Sequence, residues 1–184
     1  MRLHRRDLMW WLAALPAACA SPNPSLYTLA AVPGATQRGA PRRIELRLIG
    51  LAHYLDRMQI VRSSAGYRLD VLANDWWGEP LEAMLTRVLV EELSQRLPDS
   101  LVYAENGAIN ATPDASVELN VQRFDEDRSG TLLLLAQVAV TGRVHGTRAL
   151  RLAVPVTASG TPAIVAAMSA ALGHLADAIV AMLA

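Results

Sequence analysis

Few residues in this chain have types that could do chemistry. There is one cysteine, Cys19, there are four histidines, and Asp125-Glu126-Asp127 form an acidic run. A lone cysteine cannot form an internal disulfide, which leaves packing, a reactive thiol or a point of attachment. Beyond residue 18 the histidines are His53, His145 and His174, none followed by a second histidine at metal-ligand spacing, so no metal site is expected. Neither a G-x-S-x-G nucleophile elbow nor a phosphate-cradling glycine loop occurs. The acidic run has the oxygens to chelate calcium, but a solvated hairpin tip accounts for it more simply. The expectation is a non-enzyme with no catalytic residues and no cofactor.

Cys19 is best explained by what precedes it. Arg2, Arg5 and Arg6 make a basic start, and Leu8 to Leu15 is an apolar run too short to cross a bilayer. Ala17 and Ala18 suit the narrow cleft of a signal peptidase, so residues 1–18 read as a signal peptide. A cysteine directly after them fits a bacterial lipobox, whose thiol receives a diacylglycerol and becomes the new N-terminus. Pro16 stands where that motif usually has leucine. The alternative is plain cleavage after Ala18 or Ala20, releasing a soluble periplasmic protein. Arg5-Arg6-Asp7-Leu8-Met9 resembles a twin-arginine signal, and either route exports the chain. Three acyl chains on Cys19 would hold a membrane far better than one myristoyl group. Because Ala20 rather than Asp follows, the expected destination is the outer membrane, on its periplasmic side.

Residues 19–43, rich in proline and glycine, read as the lipidated N-terminus and a flexible tether. Tyr27-Thr28-Leu29 is an apolar island there, able to dock or to begin a strand. Residues 44–184 make one domain. The chain has 17 basic and 17 acidic residues; removing residues 1–18 takes away three arginines and Asp7 and leaves a net −2. No basic face is implied, which argues against a nucleic-acid partner.

The domain must position whatever functions. Ile44 to Leu48 alternates as a half-buried strand. Met58 to Arg62 and Tyr67 to Leu72 read as strands of a hairpin turning through residues 63–66. From Pro80 to Leu97 the period becomes helical, with Leu81, Leu85, Val88, Leu89, Leu93 and Leu97 in one stripe, capped by Asn74 or Asp75. Strands follow at 101–104, 117–122, 131–144 and 147–156, the last two turning at Gly146. The pattern strand, hairpin, helix occurs twice without a strong repeat. Thr161-Pro162 opens a second helix over 164–184. It is long enough for a membrane span, but Asp177 near its middle would cost about 3 kcal/mol in lipid. Ile164, Met168, Leu172, Leu175, Ile179 and Met182 share one face, so packing is favoured. The expected fold is α+β, a mainly antiparallel sheet with two helices packed on one face.

Two stretches remain, residues 51–71 and 74–97. Tyr54-Leu55-Asp56-Arg57 with Gln59-Ile60-Val61, Trp76 or Trp77 with Glu79-Pro80-Leu81, and Tyr27-Thr28-Leu29 after the lipobox-like start together resemble the PqiC/YmbA family of ABC-type transport auxiliary lipoproteins. The likeness spans most of the chain. It implies a lipoprotein on the inner leaflet of the outer membrane, partnered by an MCE-domain protein and its ABC transporter. There it would receive or brace the outer end of a tunnel carrying lipid across the periplasm, supporting membrane integrity. ATP would be hydrolysed by another subunit, and a homo-oligomeric ring is plausible because MCE proteins form rings.

Tyr54, Leu55, Asp56, Arg57, Trp76 and Trp77 are therefore the candidate partner or cargo contacts. Read physically, Tyr54 to Val61 is equally a kinked strand with Asp56 and Arg57 pairing at the turn. Adjacent tryptophans in a helix would diverge by about 100°, one packed and one exposed. Leu132 to Leu135 makes both strand faces apolar, a hint of an interface or of a central strand. Two other classes stand beside transport: an outer-membrane lipoprotein regulating a cell-wall or envelope-assembly enzyme, and a periplasmic hydrolase.

Overall fold

The computed structural model describes residues 23–64, 67–109 and 111–184; the expected signal peptide, Cys19 and residues 65 and 66 of the expected hairpin turn lie outside them. The strands are β1 (Ser25–Tyr27), β2 (Arg43–Leu51), β3 (Gln59–Ser63), β4 (Leu69–Trp77), β5 (Leu101–Ala104), β6 (Ala115–Glu126), β7 (Thr131–Gly142) and β8 (Gly146–Pro155). The helices are α1 (Leu81–Arg96) and α2 (Thr161–Leu183), and a single 3-10 turn, His53–Leu55, follows β2.

The strands form two mixed sheets, ordered β1-β4-β3 and β5-β2-β6-β7-β8. This corrects the expectation of a mainly antiparallel sheet. Only β3/β4, β6/β7 and β7/β8 are antiparallel, whereas β2 runs parallel to both β5 and β6, and β1 runs parallel to β4. Alternation reveals which side chains face the core and is silent on strand direction. Here α1 lies on the route from the small sheet back to β5, which returns beside β2 as a parallel neighbour.

Both helices cover one face of the five-stranded sheet and pack on each other, α1 over β2 and β5, α2 over β6, β7 and β8. Every apolar position of the α1 stripe is buried. Pro80, not Asn74 or Asp75, stands at its N-cap. Those two belong to β4, and Asp75 instead accepts from the Thr161 hydroxyl at 2.7 Å, tying β4 to the start of α2. Although α2 is long and apolar enough to cross a membrane, it buries Ile164, Met168, Leu172, Leu175 and Ile179 in the core and leaves His174 outside. Leu132 and Leu134 belong to the core under the helices, while Leu133, in register with Asp125, is buried on the opposite face.

The segment expected as a tether is largely docked. Tyr27 ends β1, Leu29 is buried, and the chain from Leu29 to Gln37 straps the two helices. The Leu29, Ala30, Val32 and Gly34 amides donate to Met84 Sδ, Ser169 Oγ, Glu92 Oε1 and Gln95 Oε1 at 2.9–3.2 Å. The Gln37 amide donates to the Arg96 carbonyl at 2.7 Å. Proline and glycine prevent regular structure here, yet side chains from both helices satisfy the backbone donors.

Candidate functional site

The fold gathers three separate sequence stretches into one seam. Tyr27 stands in register with Trp77, and the Gly78 amide donates to the Tyr27 carbonyl at 2.8 Å. The Trp77 amide donates to Met58 at 2.7 Å, so Tyr54–Val61, Trp76–Trp77 and Tyr27–Leu29 meet in the small sheet. Arg87 on α1 reinforces the seam, donating to Glu79 at 2.7 Å and to the Thr28 hydroxyl at 3.0 Å.

The tryptophans lie on a strand, not in a helix, so they point to opposite faces. Trp77 is 2% exposed and shares one crevice with Leu55, Leu81, Phe124 and Met168. Trp76 is half-buried, its indole N–H donating to the Ala73 carbonyl at 2.9 Å. Leu55, also 2% exposed, belongs to the core. Asp56 and Arg57 are exposed, and the expected pairing between them is not among the ion pairs of the described residues. The backbone turn does that work instead, through Arg57 N–H to Leu55 O at 2.9 Å.

Tyr54 turns inward. Its hydroxyl donates to Asp125 Oδ2 at 2.5 Å, while Ser63 donates to Oδ1 at 2.8 Å and Arg123 to Oδ1 at 2.9 Å. Asp125 is 1% exposed, which overturns its place on a solvated tip. A bulge between Val121 and Arg123 re-aims β6, sending Phe124 to the core and Asp125 beneath Tyr54. Burial and the hydrogen bond to Asp125 push the Tyr54 phenol well above its ordinary pKa. The tip itself is Asp127–Gly130, where the Asp127 carboxylate accepts from Ser129 and Thr131 and is held below the ordinary range by those bonds.

A second charge cluster, with Glu92 and Arg96 buried and Asp177 exposed, was missed from the sequence. Arg96 donates to Asp177 at 2.6 Å and to the Gly173 carbonyl at 3.2 Å, and Glu92 lies beside it beneath the strap. Positions 92 and 96 fall on the α1 stripe at i+4 spacing, a legible signal that the strap would need to cover charges.

The face of the five-stranded sheet away from the helices holds a trough of about 870 Å³. Glu118, Asn120, Gln137, Ala139 and Ala149 line it, with the Arg47–Glu105 ion pair (3.1 Å) and exposed Leu48 along the β2 and β5 side. The three histidines are exposed and belong to separate elements: His53 in the 3-10 turn, His145 between β7 and β8, and His174 on α2. No group of three His, Cys, Asp or Glu able to hold a metal occurs among the described residues.

Such an arrangement defines a two-sheet, two-helix α+β domain whose polar clusters hold parts together. The chain belongs to the family described as the ABC-type transport auxiliary lipoprotein component, which matches residues 27–180. Two crystal structures show the same fold. One, of an uncharacterized protein, has a TM-score of 0.76 and 17% identity over 89% of this chain and 100% of that one. The other, a Xanthomonas campestris protein of the DUF330 family, has a TM-score of 0.70 and 18% identity over 85% and 92%. No curated protein matches the chain.

Proposed function

We propose that this chain is a non-catalytic outer-membrane lipoprotein, anchored through Cys19, that serves an MCE-type ABC system moving lipids or other hydrophobic molecules across the periplasm. The observation that carries the reading is the family match over residues 27–180. In this reading Leu55 and Trp77 pack in the core beside the small sheet, Tyr54 ties the 3-10 turn to β6, and exposed Asp56 and Arg57 with the trough meet the MCE-domain partner. A ring of subunits would suit a ring-forming partner. The domain's part is to hold position, with its exposed surface offering contacts.

Affinity capture of the mature chain from solubilised membranes, in wild type and in Asp56→Arg/Arg57→Asp, tests this. Recovery of an MCE-domain protein with wild type, reduced in the double variant, is the expected outcome. Recovery of a peptidoglycan synthase in its place would favour the regulator of a cell-wall enzyme. Intact mass of the membrane-derived chain beside Cys19→Ser reads the anchor directly.

A further inference from the structure

The small sheet carries an apolar pair that nothing among the described residues covers. Leu26 on β1 is 67% exposed and stands in register with Trp76 on β4. Adjacent strands lie about 4.8 Å apart, so the leucine and the half-buried indole form one apolar step on the sheet. A tryptophan with an apolar ring and a polar N–H suits the headgroup level of a bilayer. The indole N–H here is already satisfied by Ala73, which leaves the ring as the exposed surface to be matched.

The chain path says what that surface meets. β1 is the first element among the described residues and an edge of its sheet. Six residue steps separate Cys19 from Ser25, a reach of at most about 21 Å. A domain of this size is about 40 Å across, so so short a lead cannot pass around it. If the chain is held at Cys19, the β1 side is the side presented to the membrane.

We infer that the Leu26–Trp76 face of the small sheet rests on the lipid surface to which Cys19 is attached. The inference depends on the lipidation in the proposed function. It adds an orientation: the small sheet sits down on the membrane, and the anchor and the face act as two points of attachment. A lone anchor lets the domain swivel, whereas a second contact fixes which side looks toward the periplasm.

The test uses the mature chain purified from membranes, its acylation read by intact mass. It is reconstituted into vesicles of phosphatidylethanolamine and phosphatidylglycerol, with or without acyl chains brominated near the headgroup. Cleavage before Cys19 leaves Trp76 and Trp77 as the only tryptophans, and Trp77 is buried. Brominated lipid is expected to quench wild-type emission and to leave Trp76→Phe unchanged. Leu26→Glu should cut the quenched fraction by about half or more, because a carboxylate resists the apolar zone. Acylated wild type with no quenching overturns the membrane face and leaves the anchor standing. An unacylated mature chain overturns the anchor and the face together. Quenching that disappears when an MCE-domain protein is added at equal concentration would assign Trp76 to a protein contact and overturn the lipid one.

Discussion

Two buried clusters pin peripheral pieces to the same body, and they differ in how completely their charges are satisfied. Under the small sheet, Asp125 accepts from three side chains, Tyr54, Ser63 and Arg123. Under the strap, Glu92 Oε1 accepts from the Val32 amide, but Oε2 has no hydrogen-bond partner among the described residues. Arg96 Nη1 stands 3.8 Å away, too far for a hydrogen bond, because its guanidinium is turned to Asp177 and Gly173. A buried carboxylate with one oxygen unpartnered responds to a proton. Burial pushes the Glu92 carboxyl up to about 7. The small sheet is thus the fixed part and the strap the conditional one.

Removing Asp125 should break that contrast most severely. Asp125→Ala leaves the Tyr54 and Ser63 hydroxyls and the partly exposed Arg123 guanidinium without their acceptor, and a loss of about 4 kcal/mol is expected in urea denaturation. A loss under about 1 kcal/mol would mean that the cluster behaves as a surface ion pair.

Next in size is the pH dependence set by Glu92. Its folded-state pKa lies above the unfolded value of 4.5, so the ionised form is disfavoured in the fold. Its penalty is absent below pH 4.5 and grows as pH rises toward 7, reaching on the order of 3 kcal/mol above that. Glu92→Gln should flatten this part of the stability profile and be the more stable protein at pH 8. Parallel profiles for the two chains would show that water or Arg96 already satisfies the carboxylate.

Gly34 probes the strap from the other side. A methyl group there would overlap the Arg96 guanidinium, which Asp177 and Gly173 hold in place. Gly34→Ala should cost about 2 kcal/mol and speed proteolysis within residues 30–42, with the small sheet's cleavage unchanged. Equal acceleration at both regions would show the strap and the small sheet to be one cooperative unit.

The smallest effect is reserved for Tyr54→Phe. Asp125 keeps Ser63 and Arg123, so only about 1 kcal/mol should be lost. Because the wild-type phenol is held neutral well above its ordinary pKa and burial also raises Tyr103, ultraviolet titration should show one fewer tyrosine resisting ionisation in the variant than in wild type.

Much of the fold was legible. The α1 and α2 stripes marked their buried faces, and Val117, Leu119 and Val121 marked theirs, because a side chain's position in a helix or strand repeats with a fixed period. Tyr54 and the tryptophans were recognisable as a set, but their roles were not. The helical divergence weighed for Trp76 and Trp77 does not apply because β4 continues to Trp77, with Trp76 paired to Gln59 and Trp77 to Tyr27. Asp125 was unreadable because the β6 bulge shifts the alternation by one. The strap was read as tether because its hydrogen-bond partners lie 55 to 139 residues away.

From the sequence alone came the expected export signal, the candidate lipid anchor, most of the element types, their buried faces and the family likeness. Each rests on local order: spacing, composition or a contiguous motif. Tertiary structure alone decided the parallel pairing of β2, the split into two sheets, the burial of Asp125, Glu92 and Arg96, and the docking of residues 29–37. Those depend on which distant groups meet, and the free energy of a buried charge is set by the partner it meets there.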